Sequence, residues 1–220
     1  MVYVIITAAG LGSRFNSSIP KQFVKFNDKE LLKYTIDQFD CIDCITHVGI
    51  PKGTTFKYKN VNTYTGGNCG QETIFKGLQA IMNSNKVNKN DVLIIQDGNR
   101  PCTKSSLIQE LLSFIRKNPE EMVCPKIPIY GISSSDGTKQ FNRNDFVYTQ
   151  MPCCCNLFQL FELYSRIEDF DSYSNPMEVW CTHKHICFVE GDLLNIKITY
   201  PKDIEVFNMI LGQDTSRKNF

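Results

Sequence analysis

Short apolar runs bounded by turn residues recur along the first half of the chain, at 2–6, 45–50, 61–64 and 92–95. Between them, apolar residues return at the three- and four-residue spacing of an amphipathic helix, in segments around 31–39, 73–81 and 107–115. Strands that alternate with helices at short spacing are typical of a parallel sheet covered on both faces. The pattern therefore predicts an α/β protein with a mostly parallel sheet and helices on both faces.

The pattern changes between residues 124 and 150. This stretch is polar, rich in turn residues and β-favouring, and its Ser-Ser-Ser-Asp-Gly run (133–137) is a plausible hairpin tip. Beyond it, the sequence predicts a helix near 157–164, a strand near 185–191 and a closing helix near 203–211. We expect one domain over 1–220 from which 124–150 protrudes as an arm, because such excursions commonly carry a lid or a dimer contact.

Composition limits the classes of partner. The chain has 220 residues, 42% of them hydrophobic, and 24 basic against 23 acidic residues give a formal net charge of +1. This balance gives no electrostatic reason to expect a nucleic-acid or membrane partner, so an anionic ligand must be bound by a local cluster of charge. No apolar stretch approaches the roughly 20 residues of a membrane span. The first residues lack the features of a signal peptide, and we expect a cytoplasmic protein.

Ten cysteines are spread over the chain. In a reducing compartment they are most simply small buried hydrophobic residues or free thiols. Cys41 and Cys44 form a C-x-x-C pair and Cys153, Cys154 and Cys155 are contiguous, so a redox or zinc role is the alternative.

The sequence "TAAGLGSRF" (7–15) follows the first apolar run directly. A strand that leads into a glycine turn is typical of phosphate-binding loops. Gly10 and Gly12 begin a dinucleotide fingerprint, but Phe15 occupies its third glycine position, and no P-loop spacing is present. Arg14 and Lys21, in the following "PKQF", flank this loop and could neutralise a nucleoside triphosphate. The alternative is that both are ordinary solvated loop charges.

Three more motifs lie at predicted strand ends. Asp97, in "IIQDGNRP", is well placed to hold Mg²⁺ against phosphates. The second glycine-rich loop, "TGGNCGQET" (65–73), leads into a helix and suits close packing against a base or ribose. The segment "EGDLLNIKIT" (190–199) is expected to carry Lys197 on a late strand.

Together these motifs resemble the cytidylyltransferases that act on 2-C-methylerythritol 4-phosphate and on ribitol 5-phosphate, over nearly the whole chain. "AAGLGSRF…PKQF" resembles the signature loop of that family, and "GGNCGQET" its cytosine- and ribose-binding loop. "QDGNRP" and "GDLLNIKITYPKDI" resemble its aspartate-containing and C-terminal motifs. The resemblance implies a Rossmann-like fold and an enzyme that makes a CDP-linked alcohol and pyrophosphate.

The resemblance also implies roles for individual residues. Arg14 and Lys21 match the catalytic pair on the CTP phosphates, Asp97 the Mg²⁺ site, and Lys197 the lysine at the phosphate-substrate site. The nucleotide-binding positions are Ala8, Ala9, Gly10, Gly12, Gly67, Asn68 and Thr73. The arm is expected to reach into the other subunit of a homodimer and to supply the substrate-binding Arg143. No histidine lies in these motifs, and an attacking phosphate oxygen, already anionic, requires no general base.

Departures from the family pattern fall at the second substrate. The family's Asp-Thr on the arm is Gly131-Ile132 here, its Thr-Pro-Gln is Met151-Pro152-Cys153, and its Thr-Asp-Glu/Ala segment is roughly Ser174-Asn175-Pro176. Asn68 and the "DGN" at Asp97 are milder departures. A lost hydrogen-bond partner for a substrate hydroxyl changes selectivity sharply.

The departures favour transfer of CMP to a phosphorylated alditol or other small polyol, for capsule or other surface polysaccharide synthesis. The alternative within the class is the methylerythritol phosphate enzyme of isoprenoid biosynthesis. A nicotinamide-dependent oxidoreductase is disfavoured by Phe15. A non-catalytic nucleotide-binding regulator would not need Arg14, Lys21, Asp97 and Lys197 together.

Overall fold

The computed structural model describes residues 1–10, 12, 15, 19–84 and 87–216, without the side chains of 213–216. Its ten strands in these ranges are β1 (Val2–Thr7), β2 (Lys25–Phe26), β3 (Lys29–Glu30), β4 (Ile45–Ile50), β5 (Asn62–Thr65), β6 (Val92–Asp97), β7 (Met122–Pro128), β8 (Val147–Thr149), β9 (Cys153–Asn156) and β10 (Ile186–Glu190). The apolar runs identified from the sequence are all strands, which confirms the predicted alternation.

Eight of these strands form the main sheet: seven follow the order β10-β7-β9-β6-β1-β4-β5, and β8 pairs with β7 outside this order. Neighbouring strands in this order are parallel except at β9, which runs antiparallel to both β6 and β7, and the β7–β8 pair is also antiparallel. Thr7 pairs with Asp97 at the carboxyl ends of β1 and β6. The order reverses beside β1, and the crevice at such a reversal is the usual ligand position in an open α/β sheet.

The helices are α1 (Leu31–Asp37), α2 (Gly70–Ser84), α3 (Ser105–Lys117), α4 (Leu157–Tyr164), α5 (Pro176–Cys181) and α6 (Asp203–Ser216). Each sheet face has its own apolar core, and β1 alternates between them: Val4 and Ile6 pack with α1 and α3, and Ile5 packs with α2 and α4. The mostly parallel, two-faced α/β fold is therefore confirmed. None of the helices in the described ranges has the length and apolar run that a bilayer crossing requires.

The three contiguous cysteines are core residues in β9. Cys154 packs into the α1–α3 core, and Cys153 and Cys155 pack into the α2–α4 core, all with no exposed surface. Burial raises the pKa of each thiol, so these groups remain protonated and unreactive.

The segment 124–150 is built on two strands of the sheet. β8 returns antiparallel to the end of β7, with Lys126 opposite Thr149. Between them, residues 129–146 leave the sheet and carry a bridge between Ser133 and Gln140. Exposed aromatic side chains are concentrated on this segment, notably Tyr130 at 76% and Tyr148 at 49% exposure.

A third apolar cluster joins the two ends of the chain. Phe207 of α6 packs edge-on against Phe26 and Tyr34, at ring-centroid distances of 5.1 and 5.4 Å. Phe15 and Ile198 are buried in the same cluster. The C-terminal segment is thereby positioned beside the loop that follows β1.

Candidate active site

The start of the glycine loop after β1, at residues 8–10, is held by one buried amide. Nε2 of Gln22, which is 3% exposed, donates to the carbonyl oxygens of Ala8 at 2.7 Å and Gly10 at 3.1 Å. Gly12 has a φ of +70°, a backbone conformation that residues other than glycine rarely adopt. Phe15 takes the third position of the glycine pattern because its ring anchors the loop in the third apolar cluster.

Small residues allow three segments to meet at this edge of the sheet. A Cβ atom at Gly98 would lie 2.9 Å from Cβ of Ala8, and one at Gly66 would lie 2.2 Å from Cβ of Ala9. The loops after β1, β5 and β6 therefore approach at backbone distance, which forms the floor of a cleft.

The second glycine-rich loop is held in shape by its own helix. Oγ1 of Thr73 accepts from the Gly67 amide at 3.0 Å and donates to the Cys69 carbonyl at 2.9 Å. A Glu72 carboxylate oxygen accepts from the Asn68 amide at 2.6 Å. Because the Gly67 and Asn68 amides already have these partners, neither is free to bind an anion.

Asp97, at the end of β6, is held between two cations. Oδ2 accepts from Arg100 Nε at 2.9 Å, and Oδ1 accepts from Lys197 Nζ at 3.0 Å. Burial raises the pKa of this carboxyl group, but the Lys197 and Arg100 charges outweigh burial, and the net pKa lies below the usual value. Asp97 is therefore a carboxylate at neutral pH.

The C-terminal segment is attached to the cleft through the backbone of Ile198. Lys21 Nζ donates to the Ile198 carbonyl at 3.2 Å, and the Asn99 side-chain amide donates to the same oxygen. The Ile198 amide donates to the Asn99 carbonyl at 2.9 Å. Lys21 and Lys197 are thus placed on the same side of the cleft, although 176 positions separate them in the sequence.

A buried polar network secures the segment from the other side. Gln96 Nε2 donates to Thr103 Oγ1 at 2.8 Å, and Thr103 donates to Asn195 Oδ1 at 2.9 Å. Asn195 Nδ2 donates to the Met151 carbonyl at 2.7 Å, and Arg100 Nη1 donates to the Asn195 carbonyl at 2.8 Å. Both Oδ1 and Nδ2 of Asn195 therefore have hydrogen-bond partners, as a buried side-chain amide requires.

Together these segments enclose a cavity of about 360 Å³. Its walls come from both glycine-rich loops, the β6 loop and the C-terminal segment: Thr7, Ala8, Ala9, Gly10, Lys21, Gln22, Gly67, Asn68, Cys69, Gly70, Thr73, Gly98, Asn99 and Lys197. The size is within the range of small-molecule sites, and among the described residues of this lining the charged groups are two lysines. The cavity suits an anionic ligand with a flat, uncharged part.

Most of the residues predicted from the sequence lie around this cavity. The cavity lining includes eight of them: Ala8, Ala9, Gly10, Lys21, Gly67, Asn68, Thr73 and Lys197. Asp97 is paired with Lys197. Gly12 lies next to Lys21, because a Cβ atom added at Gly12 would be 3.4 Å from Cγ of Lys21. Arg143 lines a separate cavity of about 450 Å³ on the arm. Arg14 lies outside the described residues.

The donor set fits the predicted magnesium ion. Asp97 is 18% exposed beside the cavity, and a carboxylate with one bond to each oxygen retains unused lone pairs. Mg²⁺ commonly binds through one or two protein carboxylates, with phosphates and water supplying the other ligands. Asp97 would be the protein ligand of such an ion.

Gln22, Asn99, Arg100 and Asn195 support the site but were not identified from the sequence. All four lie inside the motifs "PKQF", "QDGNRP" and "NIKIT". The signal that the sequence offers for them is that each of these motif positions carries a polar residue. Their hydrogen-bond partners are mostly far away in the sequence, so spacing alone could not reveal their roles.

The fold and this cavity define an α/β protein of the nucleotidyltransferase type, whose candidate ligand site lies at the carboxyl edge of the sheet. The family model for IspD, 2-C-methyl-D-erythritol 4-phosphate cytidylyltransferase, matches residues 2–213. The chain belongs to this family, and it is accordingly a nucleotidyltransferase that uses CTP.

Individual relatives agree over almost their whole lengths. A Clostridium botulinum (strain Okra) 2-C-methyl-D-erythritol 4-phosphate cytidylyltransferase is 30% identical over 230 residues, which cover 96% of this chain and 98% of the relative. The crystal structure of the Francisella tularensis enzyme of that name has a TM-score of 0.80 at 22% identity, covering 94% of this chain and 98% of that one. The crystal structure of the Thermus thermophilus enzyme gives a TM-score of 0.76 at 21% identity, covering 92% of this chain and 95% of that one.

The Thr73 hydroxyl generates a test of the second loop. Thr73→Val keeps the volume of the side chain but leaves the Gly67 amide without its partner, whereas the Cys69 carbonyl keeps its bond from the Thr73 backbone amide. An unmade buried hydrogen bond costs about 1–3 kcal/mol, so we expect CTP to bind roughly 5- to 150-fold more weakly. Thr73→Ser retains the hydroxyl and is the matched control, with affinity near wild type in calorimetry. Equal affinity in Thr73→Val and wild type would show that the loop does not depend on this hydroxyl.

Proposed function

We propose that the protein transfers CMP from CTP to 2-C-methylerythritol 4-phosphate, with release of pyrophosphate. The family model and relatives named for this reaction support it better than they support a role in surface polysaccharide synthesis. The observation that carries the proposal is the convergence of Lys21 and Lys197 on one cavity, between two glycine-rich loops. Two cations at one cavity suit a reaction between two phosphate-bearing substrates.

In the proposed reaction, an oxygen of the acceptor phosphate attacks the α-phosphorus of CTP. A new bond forms between this oxygen and the α-phosphorus, and the bond between the α-phosphorus and the oxygen that bridges to the β-phosphorus breaks. Pyrophosphate leaves with the electron pair of the broken bond. The nucleophile is already anionic, so no side chain must remove a proton. Rate enhancement then comes from position and charge stabilisation, which fixed cations and a preformed loop supply.

Each cation has a separate proposed role. Lys21, beside the glycine loop, binds the CTP phosphates and stabilises charge on the leaving pyrophosphate. Lys197 binds the acceptor phosphate. A Mg²⁺ ion held by Asp97, when bound, would supply further neutralisation of the triphosphate.

The residues that depart from the family pattern favour a second candidate acceptor, a different polyol phosphate. Gly131 offers no side-chain donor or acceptor, and Met151 is buried with its carbonyl bonded to Asn195. At the third departure, Oδ1 of Asn175 accepts from the Glu178 amide at 3.0 Å as the cap of α5. Side chains that could bind an acceptor hydroxyl are therefore missing or already paired at these positions.

A panel of acceptors separates the two candidates. With CTP and Mg²⁺, we expect pyrophosphate release with methylerythritol 4-phosphate, tested against ribitol 5-phosphate, glycerol phosphates, and arabinitol and mannitol phosphates. Lys21→Ala should lower kcat by at least about 100-fold, the usual effect of losing one charge-stabilising group. Lys25→Ala, an exposed lysine four residues away, is the control and should be unaffected.

Two outcomes of the panel would contradict the proposal. If an alditol phosphate is the preferred acceptor, the second candidate replaces methylerythritol 4-phosphate. CTP that fails to bind would contradict both.

We also propose that the protein acts as a homodimer in which the arm completes the cavity of the partner subunit. Arg143 lies on the arm, apart from the nucleotide cavity of its own chain. The exposed aromatic side chains of the arm, such as Tyr130, Phe146 and Tyr148, are typical of a surface that another protein covers.

Mixed dimers test this arrangement. Arg143→Ala and Lys21→Ala should each be nearly inactive, but a mixed dimer holds one site with both residues intact. Random mixing of equal amounts should restore about a quarter of wild-type activity, since half of the dimers are mixed and each has one intact site. Absence of rescue, with mixed dimers verified by native mass spectrometry, would contradict a shared site.

A further inference from the structure

The Asp97 carboxylate forms ion pairs with two cations, Arg100 and Lys197, which differ in how firmly they are held. Arg100 has a side chain that is 5% exposed, and it is bonded at both ends, to Asp97 Oδ2 and to the Asn195 carbonyl. Lys197 is 39% exposed, and its ammonium group is bonded to Asp97 Oδ1. Arg100 is therefore the fixed partner of this carboxylate, and Lys197 is the partner that can move.

The pair with Asp97 competes with the proposed work of Lys197. An ammonium group that neutralises a carboxylate is less available to an acceptor phosphate, so Lys197 must leave Asp97, at least in part, when the acceptor binds. In the metal-free site, this departure would leave a mostly buried carboxylate unpaired if Lys197 were its only cation, and such a state is strongly unfavourable.

Arg100 removes that obstacle. When Lys197 leaves, Asp97 and Arg100 remain as a neutral pair whose geometry is held by the Asn195 carbonyl. We propose that Arg100 is a positioning residue that makes Lys197 available to the acceptor phosphate, because it keeps Asp97 neutralised and in place. This inference rests on the proposed role of Lys197.

Replacement of Arg100 should tighten the remaining pair. In Arg100→Gln, Lys197 is the sole cation beside Asp97 among the groups described here, so the carboxylate retains it. A purely structural role for Arg100 predicts the opposite, because loss of its bond to Asn195 would loosen the segment and expose Lys197. The two explanations therefore differ in sign.

Trace acetylation measures the availability of Lys197 directly. The unliganded full-length protein is labelled with a substoichiometric amount of acetic anhydride at pH 8, without CTP, acceptor or metal, and peptides are quantified by mass spectrometry. Lys117, exposed at the end of α3, is the internal reference. We expect Lys197 to label roughly three- to tenfold more slowly in Arg100→Gln than in wild type.

A second variant keeps the test decisive if Arg100→Gln does not fold. Arg100→Lys restores a charge, but a compact ammonium group cannot reproduce the two divergent bonds of the guanidinium group. Lys197 should label in this variant at a rate between those of wild type and Arg100→Gln. Labelling of Lys197 as fast as or faster than wild type, in either folded variant, would overturn the proposal.

These outcomes are independent of the acceptor. A failed acceptor panel with slowed labelling would contradict the proposed function and leave the effect of Arg100 on Lys197 standing. A successful panel with unchanged labelling would do the reverse.

Discussion

The ion pair between Asp97 and Lys197 joins two parts of the chain that are 100 positions apart, and the site depends on it. Asp97 stands at the end of a central strand, where the sheet order reverses. Lys197 lies in an irregular segment that has no strand to fix it. The backbone bonds of Ile198 and the buried Asn195 side chain hold this segment beside the carboxylate, and Arg100 fixes the carboxylate from the opposite side.

The surroundings are arranged to make this contact possible. Glycine and alanine let the loops after β1, β5 and β6 approach at backbone distance, and Phe207 packs the last helix against the first loop. Gln22, Asn99 and Asn195 then satisfy the backbone groups that these irregular segments would otherwise bury unpaired. A preformed cavity of this kind lowers the cost of ordering two charged substrates.

The sequence allowed prediction of the elements and of most cavity residues, because strand ends and glycine loops have local signals. It did not allow prediction of the buried supports. Asn195 lies in an ordinary-looking "LLNIK", and its partners, Thr103 and Met151, are 92 and 44 positions away. β9 was also missed, since a strand buried on both faces shows no alternation, although the burial expected for its cysteines is what the structure shows. Phe15 counted against a dinucleotide fingerprint, while its actual role is that of an anchor.

The central claim is that the α-phosphorus of CTP is transferred to an acceptor phosphate at this cavity. Parallel reactions with CTP labelled in the α- or the γ-phosphate test it most directly. The account predicts that, with the accepted polyol phosphate, the α-label appears in a new CDP-linked product and the γ-label in pyrophosphate, at equal rates. Release of the γ-label as single phosphate, or an α-label that remains in free CMP or CDP, would contradict it.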